Sequence, residues 1–267
     1  MAKADLSDAY ENMKYIPGGG DFPERWADTA ADWRNLEHAI GRARLNLSYG
    51  PHERHALDLF LPAGRPEGLS LFVHGGYWHR FDRSYWSHLA QGATQAGWAV
   101  AMPSYRLAPE VRLSEITGDI AAAITHAAGM VSGDIRLFGH SAGGHLICRM
   151  NELSVLPDPV AARVKRLVPI SPLSDLRPLM QTEMNGVLGI DLPEAHAESP
   201  VRSTHRHRIP TTVWVGANER PAFLEQAKWL RDAWAEASLR VLQDRHHFDV
   251  IEDLQDDTSA MVQSLLT

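Results

Sequence analysis

Short apolar runs recur along the chain at 56–61 (ALDLFL), 69–73 (LSLFV), 98–102 (WAVAM), 134–138 (DIRLF), 166–170 (RLVPI), 211–215 (TTVWV) and 239–242 (LRVL). Each is too short for an ordinary helix and has the length of a strand. Several are continuously apolar, as strands buried on both faces should be. Helix-like segments lie between most of them, around 84–96, 114–129, 142–154 and 221–236, with another at 249–265 after the last run. Strands alternating with helical segments predict an α/β chain, with a mostly parallel central sheet and helices on both faces. Two regions depart from this rhythm, which starts at about residue 43. Residues 1–40 are polar, interrupted by Pro17-Gly18-Gly19-Gly20 and dotted with Trp26 and Trp33. They read as an N-terminal arm with one or two short helices. The roughly forty residues between the runs at 166–170 and 211–215 are rich in Pro, His and Ser and too long for a plain loop. Of these, 172–206 read as a small cap inserted over the sheet's edge, within a single domain spanning 1–267.

Composition narrows the classes open to such a chain. Hydrophobic residues make up 44% and charged residues 22% of the 267, ordinary globular usage with a large core. A net charge of −7 gives no general attraction to nucleic acid or to an anionic membrane. The start, MAKADLSDAYENMK, has acidic residues and no apolar core, so it does not read as a secretory signal. No run of about 18 apolar residues predicts a membrane span. The single cysteine, Cys148, excludes an internal disulfide framework and fits a reducing compartment. A cytoplasmic chain is expected, with a small molecule as its partner and a homodimer permitted. His205 and His207 lack the partner spacing of a metal site, and no metal or cofactor is expected.

The candidate chemistry begins with Gly139-His140-Ser141-Ala142-Gly143, a G-x-S-x-G pattern where a strand run ends and a helical segment begins. A serine in such a strand-to-helix turn exposes its hydroxyl, and small neighbours let the surrounding backbone pass close by. The hydroxyl needs a base to take its proton, and the oxyanion formed by its attack needs prepared N–H donors. Upstream, the run at 69–73 leads into His74-Gly75-Gly76-Tyr77-Trp78, the position of the oxyanion loop in an α/β-hydrolase. The N–H groups of Gly76, Tyr77 and Ala142 are the main candidate donors, with Gly75 a further one. That fold orders its triad serine, acid, histidine. Only His246 and His247 follow the last strand run; His247, before Phe248, is the favoured base and His246 the alternative. Glu219 is the carboxylate in the loop after 211–215, and Asp175, after Ile170-Ser171-Pro172, is its rival. Tyr77, Trp78 and Trp86 are candidate pocket walls. Cys148 lies about two helical turns beyond Ser141, too far to replace it, and reads as a packing residue.

With these motifs in view, the chain resembles the arylformamidase (kynurenine formamidase) branch of the α/β-hydrolases, near the hormone-sensitive-lipase-like esterases. The resemblance runs from about Tyr49 to the C-terminus. It rests on HGGYW at 74–78, Tyr105 with Leu107-Ala108-Pro109, GHSAGGH at 139–145, SPLSDLRPLMQTEMN at 171–185, Ser199-Pro200, VGANERPAF at 215–223 and HHFDVIEDL at 246–254. It implies an α/β-hydrolase fold, Ser141 as nucleophile, His247 as base and Glu219 as acid, where the family usually has aspartate. It also implies hydrolysis of N-formylkynurenine to kynurenine and formate. A broad small-acyl carboxylesterase or thioesterase is the alternative, and a catalytically silent binding protein a third reading.

Overall fold

The computed structural model describes residues 5–267. Eight strands, β1 (Ala43–Ser48), β2 (Ala56–Phe60), β3 (Leu69–Val73), β4 (Ala99–Pro103), β5 (Ile135–His140), β6 (Val164–Ile170), β7 (Thr211–Gly216) and β8 (Ala237–Leu242), form one sheet in the order β1-β2-β4-β3-β5-β6-β7-β8. From β4 to β8 the pairings are parallel, while β2 lies antiparallel to both β1 and β4. Every residue of β3, β4, β5 and β7 is buried, which is why their sequences are mostly apolar instead of alternating. The sheet edges read differently. β1 and β8 alternate between more and less covered positions. In β1, ARLNLS interleaves its leucines with Arg44, Asn46 and Ser48, so it has no continuous apolar run, and the sequence pattern does not predict it.

Helices Leu113–Met130, Ala142–Arg149 and Pro221–Ala233 cover one face, where Ile120, Leu146, Ile147 and Phe223 enter the core. The other face packs against Phe22–Ala39 and Ala260–Leu266, with Trp26, Trp86, Met261 and Val262 buried between. Among the described residues, no helix is long and apolar enough to cross a membrane. Cys148 is buried, and that burial pushes its thiol pKa up.

The helical segments differ from expectation mainly at their ends. In place of one helix at 249–265, a 3-10 turn at Glu252–Gln255 precedes Ala260–Leu266. Asp256 accepts from both the N–H and hydroxyl of Thr258, and the Ser259 hydroxyl accepts the N–H of Val262. Such local side-chain bonds end one element and cap the next. The segment at 84–96 similarly divides into two 3-10 turns and Gln91–Gln95. The arm carries one 18-residue helix, Phe22–Ala39, after three 3-10 turns.

The residues between β6 and β7 fold into short helices, Asn185–Leu188 and Leu192–Glu198, flanked by 3-10 turns. Glu198, buried, accepts from Thr117 at 2.7 Å and Arg149 at 3.0 Å, and Arg112 pairs with Glu194 at 2.7 Å. The arm joins this insertion: Leu6 N–H donates to Gln181 O, and Glu183 N–H donates to the Ser7 hydroxyl.

Candidate active site

β5 ends at His140 and a helix starts at Ala142, leaving Ser141 alone in the turn with φ 55° and ψ −116°. A positive φ is uncommon outside glycine, and the neighbouring backbone fixes it here. The Ser141 N–H donates to Ile170 O at 2.8 Å. At position 143 a Cβ would fall 1.9 Å from Val73 O, so only glycine lets the new helix pass this close to β3. The sequence pattern thus corresponds to a real strand-to-helix elbow.

Glu219 sits in the turn that follows β7, its side chain fully enclosed. Its Oε1 accepts the Gly216 N–H at 2.7 Å and the Ser171 hydroxyl at 2.5 Å, while Oε2 accepts His247 Nδ1–H at 2.6 Å. A carboxylate can only accept, so this last bond places the ring proton on Nδ1 and leaves Nε2 with a free lone pair. His247 is held from behind as well: His140 Nε2–H donates to its carbonyl at 2.9 Å, and its ring lies 4.3 Å from that of Phe223. Burial, and then the nearby His247, hold His140 well below its ordinary pKa. It therefore remains a neutral donor.

The loop after β3 lies against the serine. A Cβ on Gly75 would be 3.1 Å from both Ser141 Cβ and His140 O. Gly76 has φ 110°, and a Cβ there would meet Arg80 O at 2.5 Å, so a larger residue is excluded on two counts. Among the described residues, no acceptor takes the N–H of Gly75, Gly76, Tyr77 or Ala142. The loop is rigid nonetheless. His74 Nδ1–H donates to Gly75 O at 2.7 Å, the Tyr105 hydroxyl donates to His74 O at 2.9 Å, and Gly76 O accepts from His79 and Arg80. Burial lowers the His74 pKa to about 4.

These elements meet at a cavity of about 360 Å³ lined by Ser141, His247, His140, Gly75, Gly76 and Tyr77. One wall is aromatic: Trp26, Phe81, Trp86 and Phe248 all border it, with Trp26 and Trp86 4.7 Å apart between ring centroids. The roof comes from Ser7 and Tyr10–Met13 of the arm and from Thr182–Met184 and Val187 of the insertion. The Tyr77 hydroxyl donates to Tyr10 O at 2.5 Å, joining the candidate oxyanion loop to the roof.

Three sequence candidates lie elsewhere. Trp78 is fully buried and takes no part in the cavity. Consecutive positive φ angles at Tyr77 and Trp78 turn the chain so that this indole enters the core, edge-on to His145 at 5.1 Å. His246 turns away, its Nδ1 accepting the N–H groups of Phe248 and Asp249. Asp175 pairs with Arg177 at 2.5 Å and makes no contact with His247. Nothing in the local sequence pattern gives Ser171 or His140 a role, or brings Tyr10 or Trp26 to the site, apart from the place of Ser171 directly after the sheet-centre run 166–170.

A family model described as alpha/beta hydrolase fold matches residues 70–247. The kynurenine formamidase of Danio rerio is 26% identical, covering 100% of this chain and 96% of its own length. That of Drosophila melanogaster is 25% identical over 84% of this chain and 77% of its own. A solved structure from Silicibacter sp. tm1040, given a provisional thioesterase description, is 56% identical with a TM-score of 0.96, covering 98% of this chain and 99% of that one. An esterase from Pyrobaculum calidifontis, 19% identical over 91% and 89% of the two chains, shares the fold with a TM-score of 0.68.

Proposed function

The chain belongs to the α/β-hydrolase fold family, in its arylformamidase-like branch, and from that premise we propose that it hydrolyses arylformamides, with N-formylkynurenine as substrate and Ser141, His247 and Glu219 as its triad. The observation that carries this reading is the buried bond from His247 Nδ1 to Glu219, on a cavity shared with Ser141 and with free N–H groups.

In the reaction, His247 Nε2 takes the proton of Ser141 as Oγ attacks the formyl carbon. Glu219 keeps the imidazole in the required tautomer and stabilises the imidazolium. The oxyanion develops against the N–H groups of Gly76, Tyr77 and Ala142, which need no reorganisation because no acceptor among the described residues occupies them. His247 then protonates the departing aryl amine, and water, activated by the same nitrogen, releases formate from Ser141. The aromatic wall suits an aryl leaving group, and formyl is the smallest acyl group the glycine-lined floor could receive.

The relative described as a thioesterase favours a second reading, hydrolysis of acyl thioesters. Charge argues against a coenzyme A thioester: at the cavity border Glu11 and Glu183 outnumber the one cation, Arg80, and a chain of net charge −7 opposes the several charges of a polyphosphate. The test compares kcat/KM for N-formylkynurenine, acetyl-coenzyme A and p-nitrophenyl acetate, with Ser141→Ala in parallel. Values above about 10⁴ M⁻¹s⁻¹ on the formamide, lost in the variant, are expected. Preference for the thioester, or for the ester with negligible formamide turnover, would move the protein to another hydrolase activity.

A further inference from the structure

The cavity rim carries charges that the acyl-transfer steps leave unused. Arg80, Glu11 and Glu183 all border the cavity and are exposed. Among the described residues, none of their side chains forms an ion pair or a hydrogen bond. Other surface charges behave differently: Arg220 pairs with Asp8 at 2.8 Å, and Arg112 with Asp191 at 3.0 Å. Asn12 adds a neutral polar group, since it is only 6% exposed, borders the cavity and its side chain has no hydrogen-bond partner among the described residues.

Arg80 is positioned by elements that already belong to the site. Its N–H donates to Gly76 O at 3.0 Å, within the candidate oxyanion loop. Its guanidinium lies 5.1 Å from the ring centroid of Phe81, part of the aromatic wall. An aryl group against that wall would therefore have a cation beside it. The Arg80 charge also acts on His79, whose pKa is lowered first by burial and then by this neighbour. Glu11 approaches the same region from the arm, where its charge is felt by the buried Tyr77 hydroxyl.

We propose that Arg80 binds a carboxylate on the leaving group, while Glu11 and Glu183 face its ammonium, so that the cavity selects aryl formamides bearing a zwitterionic α-amino-acid tail. This assignment rests on the arylformamidase reading and adds specificity residues to it. A charge-assisted pair at a partly solvated rim, against a substrate that lacks the tail, is the physical source of the discrimination.

The experiment measures kcat/KM for N-formylkynurenine and for formanilide, which has the same reacting group and no charged tail. It compares the wild-type protein with Arg80→Met and Arg80→Lys. The ratio of the two values is an internal control for folding. In Arg80→Met the ratio is expected to fall roughly 10-fold or more, chiefly through KM for the tailed substrate. Arg80→Lys, which keeps the charge but not the fork, should recover part of the loss. An unchanged ratio in Arg80→Met, or a wild-type protein that does not prefer the tailed substrate, overturns the Arg80 assignment and leaves the arylformamidase reading standing. A wild-type protein that hydrolyses neither formamide overturns both.

Discussion

The floor and the roof of the cavity contrast in burial and in bonding. At the floor, Ser141, Glu219 and His247 are 2%, 6% and 3% exposed. Each sits close to a strand end and is held by bonds from other strands or loops: Ile170 O for the serine, Gly216 N–H and Ser171 for the acid, His140 for the histidine. Several of the contacts that hold the roof are more exposed, such as the Arg220 to Asp8 pair and the bond from Glu183 N–H to Ser7. Its polar side chains Glu11 and Glu183 face solvent. A deeply buried floor, with the proposed serine, acid and histidine each tied to neighbouring backbone or side chains, suits fixing reacting atoms in place, whereas a roof that brings charges to the rim is suited to recognising what the reacting group is attached to. The two regions should therefore respond differently to perturbation, the floor through kcat and stability and the roof through KM.

The largest effect is expected at the acid. Glu219→Gln retains the shape but cannot stabilise an imidazolium, and kcat should fall roughly 10³- to 10⁴-fold, read by steady-state kinetics with KM little altered. A loss of less than 10-fold would remove Glu219 from the triad.

Next comes the pH dependence of stability, which follows from burying neutral histidines beside the floor. Burial lowers His74 to about 4 and His145 to about 3, against about 6.5 in an unfolded chain. Below pH 6.5 the unfolded chain takes up protons that the folded one refuses, so stability falls as pH drops from 6.5 toward 4. Each histidine should cost about 2 kcal/mol between pH 7.5 and pH 5. Denaturant unfolding at the two pH values measures it, and equal stabilities would contradict the buried neutral state.

Smaller effects probe the supports. Ser171→Ala removes one of three bonds to the Glu219 carboxylate, and a roughly 10-fold loss in kcat is expected with the Gly216 N–H still in place. At the roof, Arg220→Ala removes both the Asp8 pair and the contact with the Tyr15 ring at 3.7 Å. Exposed pairs of this kind contribute at most about 1 kcal/mol, so KM should rise only a few-fold and kcat stay within about two-fold. A large kcat loss in Arg220→Ala would erase the distinction between floor and roof.

That distinction also explains what was legible in the sequence. The positions of Ser141, Glu219 and His247 follow from local signals, an apolar run that ends and the loop that succeeds it, because a buried strand dictates where its own end falls. The parallel sheet was legible for the same reason. β1 was not, since an edge strand needs only one apolar face. Nor could local pattern separate Trp78 from Trp86: two consecutive positive φ angles send Trp78 into the core, and nothing in HGGYW specifies them. The roof was the least legible region. Tyr10 meets Tyr77 across 67 positions, and Ser7 meets Glu183 across 176. Contacts so distant in sequence leave no periodicity or spacing to read.

The most direct test of the account is covalent trapping of the nucleophile with competition. The protein would be treated with a fluorophosphonate, the labelled peptide identified by mass spectrometry, and the labelling rate measured with and without N-formylkynurenine. A single adduct on Ser141, slowed by the formamide in proportion to its occupancy of the cavity, is the expected result. An adduct elsewhere, or labelling of Ser141 that N-formylkynurenine leaves unchanged at saturating concentration, would contradict it.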